Sequence, residues 1–123
     1  MHGFGELEAA IMDAVWADDE PLTVRNILER IDQERTPAYT TVQTVTEILY
    51  RKGWLRRHKD GRAWRYWATR SREEYTAGLV EQVLSSTPDR TATLVRLVEQ
   101  MDPGEVSELR AALDTAKNAE ERP

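Results

Sequence analysis

Fifteen residues, RRHKDGRAWRYWATR at positions 56–70, hold Arg56, Arg57, Lys59, Arg62, Arg65 and Arg70 against the lone carboxylate of Asp60, with Trp64, Tyr66 and Trp67 interleaved. Side chains of these types grip anions: guanidinium and ammonium groups pair with phosphate or carboxylate, and aromatic faces hold the cations in place. The whole chain, by contrast, carries 17 basic against 22 acidic side chains and a formal charge of −5. Its charge is segregated. Residues 35–72 hold ten basic side chains against Glu47 and Asp60, whereas residues 1–34 hold only Arg25 and Arg30 against nine carboxylates, and residues 73–123 hold five basic against eleven acidic. A basic block between acidic segments points to a local polyanion-binding surface on an otherwise repulsive body. A solvated face with internal salt bridges fits the charges equally well.

Little else in the chain offers a chemistry of its own. Cysteine is absent, which removes thiolate catalysis, zinc–thiolate sites and a disulfide framework together. The two histidines, His2 and His58, stand far apart, a poor start for a metal site. No nucleophile–base pair and no phosphate-cradling glycine loop is evident, so neither enzymatic activity nor a cofactor is expected. A chain of 123 residues buries roughly two-thirds of its unfolded surface, enough for a core without a covalent staple. No apolar run approaches the ~18 residues of a membrane span, and the N-terminus lacks a charged-then-apolar signal pattern. Neither membrane insertion nor secretion is expected, and the expected location is the cytoplasm.

The elements that must position the basic stretch follow from periodicity. ELEAAIMDAVWADD repeats Leu7, Ile11, Ala14 and Val15 at helical spacing, and LTVRNILERIDQ carries Val24, Ile27, Leu28 and Ile31 behind a Thr23 cap. Glu34 to Tyr39 form a linker punctuated by Pro37, and AYTTVQTVTEILYRKG is a third helix stopped by Gly53. There the period changes to two. Trp54–Lys59 and Arg62–Trp67 flank Asp60-Gly61, which predicts a hairpin with a two-residue type I′ loop. That register sets Arg57 opposite Trp64, Leu55 opposite Tyr66 and Trp54 opposite Trp67, with a cation–π pair between Arg57 and Trp64. Ser71-Arg72-Glu73-Glu74, Thr87-Pro88-Asp89 and Asp102-Pro103-Gly104-Glu105 each open a further helix, and the tail NAEERP is expected to fray.

Three helices followed by a two-stranded hairpin is the order of a winged helix-turn-helix, in which the second helix of the motif enters the major groove. On the third helix, at about 100° per residue, Val42, Val45 and Leu49 share one side. Thr40, Gln43, Thr44, Glu47 and Arg51 share the other, with Thr41 at its edge. Small hydroxyls and an amide can approach base edges: Gln pairs bidentately with adenine, and Thr offers a hydroxyl and a methyl. An ordinary solvated face has the same composition. Joined to the basic hairpin, however, this face suggests a division of labour, with Thr40, Thr41, Gln43 and Thr44 reading bases. Arg51, Arg56, Arg57, Lys59, Arg62 and Arg65 would then hold phosphates.

At these residues the sequence resembles the penicillinase-repressor (BlaI/MecI/CopY) group of bacterial winged-helix regulators. The resemblance runs through LEAAIMDAVW, LTVRNIL, YTTVQTVTEILYRKGWL, RHKDGRAWRYWA and LVRLVEQMDPGEVSELRAAL, nearly the whole chain. It implies a homodimeric repressor whose C-terminal helices dimerise and whose winged helices bind dyad operators in double-stranded DNA. It also implies release by a sensor peptidase or other inducing protein. Members so controlled are cut at an Asn-Phe pair in the penultimate helix, and the matching position here reads Arg96-Leu97. Copper-responsive members carry paired C-terminal cysteines, and without them direct copper sensing is not expected.

The expected molecule is therefore mainly α with a small β-hairpin wing. A winged-helix DNA-binding domain spans 1–70 and a helical dimerisation region spans 71–123. The dimerisation stripe is expected to comprise Tyr75, Leu79, Val83, Leu94, Leu97, Val98, Met101, Val106, Leu109 and Leu113, on helices too few to enclose a core of their own. The alternative is a winged-helix protein-interaction module whose hairpin docks an acidic partner.

Overall fold

The structure, a computed structural model, describes residues 3–31 and 37–121, so His2 and the linker positions 34–36 lie outside the described residues. The element order is α1 (Glu6–Trp16), α2 (Val24–Arg30), α3 (Tyr39–Arg51), β1 (Leu55–Asp60), β2 (Ala63–Ala68), α4 (Arg72–Ser85), α5 (Arg90–Glu99) and α6 (Pro103–Glu120). It is the winged helix-turn-helix order, followed by three more helices. The chain divides into two compact units, residues 1–81 and 82–123. No helix among the described residues is long and apolar enough to cross a membrane.

The first unit is built around the apolar faces that periodicity marks. Ile11, Met12, Ala14 and Val15 of α1 meet Val24 and Ile27 of α2 and Val42 and Leu49 of α3, and Leu55 and Tyr66 of the hairpin close the cluster. Each of the larger side chains contributes about 1.5–3 kcal/mol on full burial. Thr23 caps α2 in a reciprocal box with Asn26, the amide of Asn26 donating to the threonine hydroxyl over 3.1 Å. At the other end of α3, Gly53 adopts φ +88°. The Trp54 amide then reaches back to the Leu49 carbonyl and the Gly53 amide to that of Tyr50, both at 3.0 Å. A Schellman turn of this kind needs the left-handed residue that glycine supplies. It aims the chain out of α3 and into the wing.

The hairpin forms two residues out of its expected register. Asp60 pairs with Ala63, Lys59 with Trp64, His58 with Arg65, Arg57 with Tyr66, Arg56 with Trp67 and Leu55 with Ala68. The loop is Gly61-Arg62, and of the two only Gly61 has positive φ. A type I′ turn needs positive φ at both central residues, whereas glycine first is the II′ pattern. Asp60 is thereby drawn into β1, where its carboxylate meets Arg65 Nε at 2.6 Å. A slip of two keeps every side chain on its expected face. Leu22, between α1 and α2, exchanges two backbone hydrogen bonds with Tyr66, at 2.9 and 2.8 Å, and so backs the wing with a third strand-like segment.

Trp54 does not oppose Trp67. It joins an aromatic cluster in which Phe4 and Tyr75 stack at 4.3 Å between centroids, with Trp54 edge-on to both at 4.9 and 5.3 Å. The Tyr75 hydroxyl accepts the Phe4 amide at 2.7 Å, and Trp16 lies 5.7 Å from the same ring. Tyr75, expected in the dimerisation stripe, has its ring and hydroxyl engaged inside its own first unit. Trp67 instead neighbours His58, 5.4 Å away.

Ser71 and Glu74 form the expected capping box on α4, and Asp102 with Glu105 forms another on α6 behind Pro103. Asp89 caps α5. Helix α6 continues through Asn118, Ala119 and Glu120, which extends it into the segment expected to fray. Among the described residues of the second unit only Leu84 is buried, and none lies in α5 or α6.

Candidate nucleic-acid interface

Helix α3 has two unlike sides. Val42, Thr46 and Leu49 face the core, and the buried Thr46 hydroxyl is satisfied by the Val42 carbonyl at 2.7 Å. Thr40, Thr41, Gln43 and Thr44 lie on the other side, and all four are exposed. The Thr44 hydroxyl donates to the Thr40 carbonyl at 2.9 Å. That bond uses its only donor and leaves its lone pairs and methyl for a ligand.

The six cations expected to hold phosphate fall into three groups. Arg56, Lys59 and Arg62 are exposed and make no ion pair among the described residues. Arg51 and Arg65 are accessible but paired, with Glu47 at 3.3 Å and Asp60 at 2.6 Å. Arg57 stands apart from a free phosphate cation. Its side chain is 18% exposed and ion-paired with Glu47, while Nη1 lies 3.4 Å from the Tyr66 hydroxyl. The guanidinium lies 3.9 Å from the centroid of the Tyr50 ring and 4.4 Å from that of Trp64. The expected Arg57–Trp64 cation–π contact forms even though the cross-strand neighbour of Trp64 is Lys59. The hydrogen bond to Tyr66, outweighing desolvation and reinforced by Glu47, holds the Arg57 pKa above its ordinary value.

Between helix α2, helix α3 and the wing tip lies a cleft of about 210 Å³ whose walls include Arg25, Tyr39, Gln43, Arg62 and Trp64. It brings the amide on the exposed face of α3 beside a wing-tip cation. Arg25 completes it, its guanidinium 4.8 Å over the Tyr39 ring. Sequence reasoning missed this arginine because it sits in the acidic first third of the chain. The available signal was its place beside the cap of α2, exposed next to buried Val24 and two residues before buried Ile27. A larger cleft of about 440 Å³, between the end of α1 and the β2–α4 junction, mixes Asp18, Asp19, Glu20 and Glu73 with Arg70 and Arg72. Carboxylates of that number disfavour a polyanion. No carboxylate–histidine cluster able to hold a metal occurs among the described residues.

Of the remaining expected stripe, Val83, Leu94, Leu97, Val98, Leu109 and Leu113 are exposed, Leu113 by 62%. Arg96 and Leu97 lie in mid-α5, both exposed, with Arg96 3.3 Å from Glu99.

The family model described as penicillinase repressor matches residues 4–115. The transcriptional regulator BlaI of Mycobacterium tuberculosis is 41% identical over 112 residues, covering 89% of this chain and 81% of that protein. Among solved structures, the DNA-binding domain of the repressor BlaI overlays with a TM-score of 0.51 at 24% identity, over 58% of this chain and 87% of the domain. A Staphylococcus aureus MepR mutant bound to an oligodeoxyribonucleotide gives 0.53 at 17% identity, over 94% of this chain and 79% of that one. At such identities the two structures speak for the winged-helix fold alone.

Proposed function

The chain belongs to the penicillinase repressor family, and from that premise we propose that it is a transcriptional repressor binding operator DNA as a homodimer. The observation that carries this reading is the cleft uniting Gln43 of α3 with Arg62 of the wing and Arg25 of α2. Helix α3 enters the major groove, Thr40, Thr41, Gln43 and Thr44 meet base edges, and Arg56, Lys59 and Arg62 grip the flanking phosphates. Arg25 adds a cation from the far side of the reading helix. Binding of this kind needs no catalysis and no cofactor.

Dimerisation falls to α5 and α6 with the end of α4. Leu94, Leu97, Val98, Leu109 and Leu113 are exposed along helices that bury nothing themselves, and a second copy related by a two-fold axis would cover them. The axis of the dimer then matches a dyad operator. Separating the protomers ends repression, because two half-sites held on one body bind with an avidity that single protomers lose. Proteolysis at Arg96-Leu97 would do so once the middle of α5 unwinds. During cell-wall antibiotic treatment the intact chain should then decline as its genes are derepressed. Derepression with the full-length chain undiminished would point to a partner protein or a ligand instead.

Selection from a random duplex pool, followed by footprinting of the host genome from the gene's own promoter outward, tests the core of the proposal. The enriched sequence should be a dyad whose half-sites lie about one helical turn, roughly 10–10.5 bp, or a multiple of it apart. Failure to enrich any sequence would overturn sequence-specific repression. An asymmetric single site would overturn the dimer.

A further inference from the structure

We propose that Arg57 does not hold phosphate but is the positioning residue that locks the wing to the recognition helix, so that reading residues and gripping residues meet the duplex in one register. This rests on the DNA-binding reading above and assigns Arg57 a different task within it. The side chain leaves the middle of β1 and reaches two other elements. From α3 it takes Glu47 and Tyr50, and from β2 it takes Trp64 and Tyr66. Glu47 sits one turn beyond Gln43 on the reading helix, 32% exposed. A carboxylate there would repel the DNA backbone if left alone. Arg57 together with Arg51 turns it into an anchor with two cations around one anion.

The geometry also argues against Arg57 reaching phosphate. Swinging the guanidinium outward would abandon two aromatic faces and leave the Glu47 carboxylate to the exposed Arg51 alone. Arg56 and Lys59, on either side of it along β1, are exposed and need no such sacrifice. Tyr66, opposite Arg57, is itself held by Leu22 through the paired backbone bonds. The guanidinium therefore ties the reading helix to a strand that the core already fixes.

Full-length protein carrying Arg57→Met, Arg62→Ala or Glu47→Gln, titrated with operator and with random duplex over a range of salt, tests the proposal. Arg62→Ala should flatten the slope of log K against log salt by about 0.9 per protomer, because one phosphate is no longer neutralised. Arg57→Met should leave the slope at its wild-type value and lower the operator-to-random affinity ratio by about tenfold, the size of one mispositioned base contact. A merely weakened fold would lower both affinities together and leave that ratio alone. Glu47→Gln, close to isosteric and independent of whether Arg57→Met folds well, should also lower the ratio. The proposal is overturned if Arg57→Met flattens the slope as Arg62→Ala does, or leaves the ratio unchanged. It is equally overturned if Glu47→Gln strengthens binding to both duplexes alike, the sign of simple charge repulsion. A wild-type slope near zero would instead defeat the DNA-binding reading itself, and this proposal with it.

Discussion

In the first unit Ile11, Met12, Ile27, Val42, Leu49 and Leu55 are all but inaccessible to solvent, while α5 and α6 of the second bury no described residue. Both regions are built on amphipathic helices, so the difference lies in partners. Three helices and a backed hairpin can surround a core, whereas the stripe of Leu94, Leu97 and Val98 stays exposed within its own chain. A helix that exposes its apolar face is stabilised by whatever covers that face. The first unit thus closes a core and presents charge, whereas the second leaves its apolar stripe exposed.

The largest consequence concerns separation of the two. A chain ending at Glu81, which keeps Tyr75 with its aromatic neighbours, should sediment as a monomer. It should bind a dyad operator about 100-fold or more weakly, because the avidity of the second half-site is gone. A truncated protein that stays dimeric would move the interface into the first unit and erase the contrast.

Next in size are paired core and stripe substitutions. Ile27→Ala should cost about 2–5 kcal/mol in denaturant unfolding of the winged-helix unit, as removal of a fully buried side chain does. Leu113→Ala should cost that unit nothing measurable but raise the dimer dissociation constant. Equal losses of unfolding stability from both would mean that Leu113 is core rather than interface.

A smaller effect sharpens the description of the first unit's exposed face. Gln43→Ala should cost about 1–3 kcal/mol on operator DNA if its amide makes a bidentate adenine contact, and little on random duplex. Equal losses on both would show that Gln43 lies beside the reading residues without reading.

Much of this was legible along the chain because its causes are local. Thr23, Asp102-Pro103 and Gly53 are boundary residues whose effect depends on near neighbours, and each acts in the structure where it was expected to. The hairpin was legible as to faces but not register. Asp60-Gly61 and Gly61-Arg62 are both acceptable loops, and the choice between them involves pairing that local turn chemistry does not encode, such as Leu22 with Tyr66 and Asp60 with Arg65. The surroundings of Tyr75 and Arg57 were illegible for a related reason. Periodicity marks Tyr75 as apolar-facing without saying whose surface it faces, and Phe4, 71 positions away, supplies the answer. Charge likewise marks Arg57 as a cation without revealing that Glu47 and Tyr50 had already claimed it. The base-reading assignment of Thr40, Thr41, Gln43 and Thr44 rests on their shared face of α3, and a bound duplex is what tests it.

The most direct test is the salt dependence of operator binding by the full-length chain. Arg56, Lys59 and Arg62 of each protomer give about six phosphate contacts in a dimer, and the slope of log K against log salt should be roughly −5. A slope near zero would contradict the claim that this surface grips DNA.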